Sequence, residues 1–127
     1  KGLTEIPDDI PLDVTSINLE ENSISTIGPA AFSKFTQLNS LDISFNRIGI
    51  IHEDAFAGLK NLGRLILFAN KIKEIPKLQG LALSELNLHN NSIALIKDGD
   101  FHDNLVSPLL YLELAGNMFE CDCRVSW

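Results

Sequence analysis

Cysteine is nearly missing from this chain of 127 residues, and the two present, Cys121 and Cys123, both fall in the last seven positions. A small disulfide scaffold spreads its cysteines along the chain, so that class is excluded. Positive charge is also scarce, with 10 Lys and Arg against 17 Asp and Glu for a net charge of −7. Nucleic-acid binding draws on Lys and Arg to neutralise phosphates, and this balance would repel them. No apolar run approaches the roughly 20 residues of a membrane-spanning helix, and residues 1–7 lack the apolar stretch of a signal peptide. The expectation is one soluble structural unit, with any signal or membrane anchor in segments outside it.

The groupings that carry catalysis or bind metal are absent too. There is no Gly-rich phosphate loop, nucleophile elbow or paired-carboxylate cleft. Asp98-Gly99-Asp100 lacks the Glu that a calcium loop places further on, and Cys121-Asp122-Cys123 has no second Cys or His pair to complete a zinc site. The three histidines, His52, His89 and His102, fall on different faces of the coil derived below. No enzyme activity, metal or cofactor is expected from residues 1–127.

What the chain does have is a repeat. The template Leu-x-x-Leu-x-Leu-x-x-Asn-x-Ile fits at Val14/Ile17/Leu19/Asn22/Ile24, Leu38/Leu41/Ile43/Asn46/Ile48, Leu62/Leu65/Leu67/Asn70/Ile72 and Leu83/Leu86/Leu88/Asn91/Ile93, and again at Leu109/Leu112/Leu114/Asn117 with Phe119 in the last slot. The asparagines stand 24, 24, 21 and 26 residues apart. Regular self-similarity at such a period specifies a solenoid.

Each slot has a physical reason. Side chains alternate along a strand, so the outer residues of Ile17-Asn18-Leu19 or Leu65-Ile66-Leu67 share the core face, and stacked coils align these strands into a parallel sheet. Where the chain leaves the strand, its backbone groups need partners, and an amide side chain supplies both donor and acceptor. Asn22, Asn46, Asn70, Asn91 and Asn117 are therefore expected to form a buried ladder. Ile27 with Phe32, Ile51 with Phe56 and Ile96 with Phe101 fill the outer side of each coil, with a short helical turn at Ala31-Phe32 and Ala55-Phe56. The third repeat is three residues shorter and carries Pro76, which predicts an extended or 3₁₀ convex segment. Asn104-Leu105-Val106-Ser107-Pro108 adds two residues to the fourth repeat and reads as a loop.

The chain resembles the extracellular leucine-rich-repeat proteins, the group that includes Slit, Toll-like receptors, lamprey variable lymphocyte receptors and the small leucine-rich proteoglycans. Three segments carry the resemblance over the full length. Leu3-Thr4-Glu5-Ile6-Pro7 with Ile10-Pro11 is similar to the end of an N-terminal cap, the repeats with Ala-Phe on the convex side resemble the 24-residue extracellular type, and Asn117-Met118-Phe119-Glu120-Cys121-Asp122-Cys123 with Trp127 resembles the opening of a C-terminal cap. The Cys-x-Cys ending is closer to the Slit, Toll-like and lamprey groups than to the proteoglycans. The resemblance implies an α/β solenoid divided into the end of a cap at 1–13, repeats at 14–117 starting near 14, 38, 62, 83 and 109, and the start of a second cap at 118–127. It implies further that Cys121 and Cys123 pair with cysteines outside the chain. A bridge between these two would itself be badly strained. Cap cysteines imply a secreted or cell-surface location, and the sequon Asn90-Asn91-Ser92 agrees, with a sugar expected on Asn90 because Asn91 belongs to the ladder. Incomplete caps would expose apolar coil ends, so marginal stability and self-association are expected.

The resemblance also places a protein ligand on the concave face, where strand residues pointing away from the core tile one surface. Its columns read Ser16, Ser40, Arg64, Glu85, Tyr111; then Asn18, Asp42, Ile66, Asn87, Glu113; then Glu20, Ser44, Phe68, His89, Ala115; and last Glu21, Phe45, Ala69, Asn90, Gly116. Ile66 and Phe68 are expected to project outward with Phe45 beside them and Tyr111 two coils away. Glu20, Glu21, Asp42, Glu85 and Glu113 surround them, with Arg64 the one fixed positive charge, and Asn87 and His89 fall in the same patch. An apolar centre with a charged rim is the anatomy of a protein interface, and the acidic rim fits a basic partner. The alternative has Phe45 packed on the edge of its neighbour strand and Ile66 reflecting sheet propensity alone. In function, a recognition ectodomain is expected, with an extracellular-matrix organiser as the second reading.

Overall fold

The computed structural model describes residues 2–97 and 109–118. The chain winds into a parallel β-solenoid of about 4 turns. Every coil contributes a three-residue strand: β1 (Ser16–Asn18), β3 (Ser40–Asp42), β5 (Arg64–Ile66), β6 (Glu85–Asn87) and β7 (Tyr111–Glu113), in the order β1-β3-β5-β6-β7. All pairs are parallel and in step, so Ile17, Leu41, Leu65, Leu86 and Leu112 form one row across the sheet. The ladder runs on past the strands, with Leu19 N–H donating to Asp42 C=O at 2.8 Å and Leu67 N–H to Asn87 C=O at 2.8 Å.

One apolar core fills the coil interior, where Leu41, Ile43, Leu65, Leu67, Leu86 and Leu88 are buried beside Ile24, Ile48, Ile72 and Ile93. Each such side chain contributes on the order of 1.5–3 kcal/mol by leaving water. No single coil could bury both faces of its row, so the stacking of neighbours is what makes the fold stable. On the outer side Phe32 stacks on Phe56, with ring centroids 6.2 Å apart and planes at 8°. Phe35 and Leu59, which the repeat template does not name, are buried there as well.

The convex side carries short three-residue turns rather than regular helix. Ser33, Phe35 and Leu38 donate to Ala30, Phe32 and Phe35 three residues back, and Ala55, Ala57, Leu59 and Leu62 do likewise in the next coil. These are successive turns, too few residues each to close a regular helix. A second parallel sheet, not anticipated, pairs β2 (Thr26–Ile27) with β4 (Ile50–Ile51). In the third coil one such turn, Leu81 N–H to Leu78 C=O at 3.1 Å, follows an extended stretch through Pro76.

The asparagines join successive coils. Asn70 Oδ1 accepts from Ile48 N–H at 3.0 Å, and its Nδ2 donates to Ile43 C=O at 3.0 Å and Leu67 C=O at 3.1 Å. Asn46 and Asn91 make the same set one coil either side. These three are buried, whereas Asn22 and Asn117 are half-buried. The buried ladder expected of all five is therefore fully buried at its three inner members and half-buried at its two ends. Asn22 accepts from Leu3 N–H at 3.0 Å, so the segment before the first repeat takes the place of a preceding coil. Phe101, His102, the triplet Asp98-Gly99-Asp100, residues 104–108, Phe119, Cys121, Cys123 and Trp127 lie outside the described residues.

Candidate protein-binding face

The concave face is built from the strand positions that alternate away from the core, and one backbone problem recurs on it. Beyond each strand the ladder asparagine takes the carbonyl that the next N–H would otherwise use, as Asn46 Nδ2 does at Leu19 C=O (2.9 Å). The freed N–H is met by the middle-column side chain two residues earlier. Asn18 Oδ1 accepts from Glu20 N–H at 3.0 Å, Asp42 Oδ1 from Ser44 N–H at 2.9 Å, Asn87 Oδ1 from His89 N–H at 2.9 Å and Glu113 Oε1 from Ala115 N–H at 3.0 Å. The third coil has Ile66 in this column, and among the described residues no acceptor meets Phe68 N–H.

Ile66 is only 5% exposed, which corrects the expectation that it projects into solvent. It lies outside the coil core, flanked in register by Asp42 and Asn87, because a curved sheet crowds the side chains on its inner surface. Ser44 is buried for a related reason, its N–H and Oγ both turned to the Asp42 carboxylate. Phe45 remains 50% exposed, and its ring meets Phe68 edge-on with centroids 4.9 Å apart. That contact is the one the alternative reading anticipated, yet Phe45 stays half exposed. Phe68 in turn stacks on His89 at 5.1 Å. The three rings form a strip across the second to fourth coils.

The fourth column has its own geometry. Glu21, Phe45, Ala69 and Asn90 all adopt left-handed backbone, with φ of 61°, 55°, 58° and 55°. This conformation costs non-glycine residues about 1–2 kcal/mol, and a bulky aromatic in it is unusual. Gly116 holds the same place in the last coil at φ 73°, and a Cβ there would collide with the Asn90 side-chain amide. Asn90 is exposed and Asn91 buried.

Around the rings the polar groups pair. Arg64 Nε lies 3.2 Å from Glu85 Oε1, so the one fixed cation of the face is engaged by a neighbouring acid. His89 Nδ1 is 3.9 Å from Glu113 Oε1 and, among the described residues, finds no hydrogen-bond partner. Tyr111 is not part of the ring strip. It is 51% exposed and donates to Glu113 Oε2 at 3.3 Å. The Glu113 charge, more than burial or the Glu85 charge, raises the Tyr111 phenol above its ordinary value. Among the described residues no three His, Cys, Asp or Glu side chains are grouped to hold a metal ion, and no helix is long and apolar enough to cross a membrane.

The pattern of residues 13–72 matches the family model for the leucine rich repeat. Mouse keratocan, a small leucine-rich proteoglycan, is 31% identical over 91% of this chain and 33% of its own length. Mouse Toll-like receptor 7 is 30% identical over 100% of the chain and 13% of its own length, and chicken Tsukushi 25% identical over 81% and 41%. The chain thus spans about a third of the keratocan length, and these identities do not separate the proteoglycan from the receptor. Residues 13–72 carry the leucine rich repeat, the coils stack as a leucine-rich-repeat solenoid, and the relatives that the chain resembles are extracellular leucine-rich-repeat proteins.

Proposed function

We propose that the chain is a protein-recognition module, not an enzyme, and that it seats a protein partner with a basic surface on Phe45 and Phe68, with the buried Ile66 supporting them. Asp42, Glu85, Asn87 and Glu113 form the acidic and polar rim, with Arg64, His89 and Tyr111 at its edge. The observation that carries this reading is Ile66. Four coils spend the middle position on an acceptor for their own backbone, and the third gives that acceptor up for an aliphatic side chain beside two aromatic rings. The exchange buries Ile66 and interrupts a polar column beside the half-exposed Phe45, which is the apolar centre and polar rim of an interface. The αL aromatic at Phe45, half exposed in a costly conformation, points the same way.

The test is a binding screen of the chain against secreted and cell-surface proteins beside its Ile66→Asn variant. A hot-spot position should lose at least about 2 kcal/mol, close to 30-fold in Kd, with the fold intact. A partner held equally by both would remove the concave face from the reading. The likeness to keratocan favours a second reading, a matrix organiser. It is supported if a fibrillar protein is the partner retrieved. The division into 1–13, 14–117 and 118–127, a sugar on Asn90, and pairing of Cys121 and Cys123 beyond the chain remain part of the same proposal.

A further inference from the structure

The third coil is three residues shorter than the first two, and the shortening falls on the convex side. Coils two and three run together as far as Lys71, whose N–H donates to Ile48 C=O at 2.8 Å. Beyond that they part. β4 forms against β2, whereas the next coil presents Pro76, which has no N–H, and makes no strand there. A groove of about 440 Å³ opens between them, lined by Ile50, Ile51, Ile75, Leu95, Lys73 and Lys77.

Along a parallel strand the N–H and C=O of successive residues face opposite neighbours. Ile50 N–H and His52 N–H reach Ser25 C=O and Ile27 C=O in β2's coil, at 3.5 and 2.9 Å. The N–H and C=O of Ile51 therefore face the groove, and among the described residues no hydrogen bond meets them. β4 is an open strand edge. Ile50 and Leu95 are 66% and 51% exposed. Among the described residues three lysines, Lys73, Lys77 and Lys97, line the groove against two glutamates, Glu53 and Glu74, with Lys97 4.0 Å from Glu74. In a chain of net charge −7 this is a local reversal of sign, opposite to the acidic concave face.

We infer that the groove is a second binding site, which takes an extended peptide of alternating acidic and aliphatic residues as a strand added beside Ile51. Backbone bonds to β4 would give affinity, the aliphatic side chains would meet Ile50 and Leu95, and the acidic ones Lys73 and Lys77. The site is independent of the concave face.

A displayed library of random seven-residue peptides, selected on the chain with Phe45→Ala and Ile66→Asn in place to disable the concave face, tests this. Enriched peptides should alternate acidic and aliphatic residues, bind about tenfold more weakly to Lys73→Glu/Lys77→Glu, and lose binding when the central amide is N-methylated. Amide resonances of Ile51 and Ile75 should move on titration. Enrichment of another pattern, or of none, would overturn the inference, as would binding indifferent to N-methylation. A sulfated heparin tetrasaccharide that moves Ile51 and Ile75 and excludes the selected peptides would assign the groove to a polyanionic glycan instead. Shifts that follow chain concentration rather than peptide would assign it to a second copy, and either result ends the peptide proposal.

Discussion

The imidazole of His89 lies against the Phe68 ring, centroids 5.1 Å apart and planes at 24°, so two neighbouring strands are tied across the concave face by an aromatic contact. Phe45 extends the tie to a third coil. The strip sits where Phe68 N–H lacks the acceptor found in the other coils. Apolar contact has replaced a hydrogen bond there.

Ile66→Asn and Ile66→Ala both remove an aliphatic side chain that is 5% exposed. Asn can also accept from Phe68 N–H as Asn18 and Asn87 do in their coils. The Asn variant should therefore be the more stable by about 1 kcal/mol, although Asn is the poorer strand former. Urea unfolding of the two variants decides it, and an Ala variant equal to or more stable than Asn would show that the turn bond is not recovered.

At Phe45 the backbone is left-handed, φ 55°. Phe45→Ala keeps the steric cost of that conformation while losing the edge contact with Phe68, and Phe45→Gly loses the contact but relieves the cost. Gly should exceed Ala in stability by about 1 kcal/mol, the reverse of their order at an ordinary strand position. Thermal denaturation of the pair is the measurement.

Asn70→Ala would strand the Ile48 N–H in the interior, while the Ile43 and Leu67 carbonyls each lose one donor and keep the amide of Asn46 or Asn91. A buried group without a partner costs about 1–3 kcal/mol, and with the two weakened carbonyls a loss of roughly 2–3 kcal/mol is expected. Asn22→Ala, in a half-buried end coil where water can reach the freed groups, should cost about 1 kcal/mol. Comparable losses at the two positions, measured by chemical denaturation, would contradict the ladder account.

Tyr111 is the one tyrosine of the chain, so its ionisation can be followed by absorbance without overlap from another phenol. The Glu113 carboxylate opposes the phenolate and raises its pKa in the folded state. Titration should find a midpoint above 10.0, the ordinary value, and Glu113→Gln should lower it. Because the folded state holds this proton more tightly, its stabilising effect is complete below the unfolded value and fades as pH rises through the folded one.

How much was legible in advance varies with the kind of interaction. The row Ile17, Leu41, Leu65, Leu86, Leu112 and the coil-to-coil asparagines follow from a template of fixed offsets, because each coil repeats one local solution to burying a strand face and satisfying a turn. The β2–β4 sheet escaped notice. Thr26-Ile27 and Ile50-Ile51 are too short to show alternation, and their pairing depends on how closely two coils stack. The acceptor role of Asn18, Asp42, Asn87 and Glu113 was present as a column of polar residues, but read as surface it gave no sign that Ile66 breaks a backbone pattern.

The sequence by itself determined the solenoid, its register and the inward rows, since these rest on periodic burial and on amide chemistry that any coil of this kind must supply. Tertiary structure alone decided the surface: Ile66 covered although it faces outward, Ser44 turned to Asp42, Phe45 set edge-on to Phe68 in a left-handed turn, and a groove left where a short third coil fails to extend β4. The physical reason is that core rows are set by spacing within a coil, whereas exposure and open edges are set by curvature and by differences between neighbouring coils.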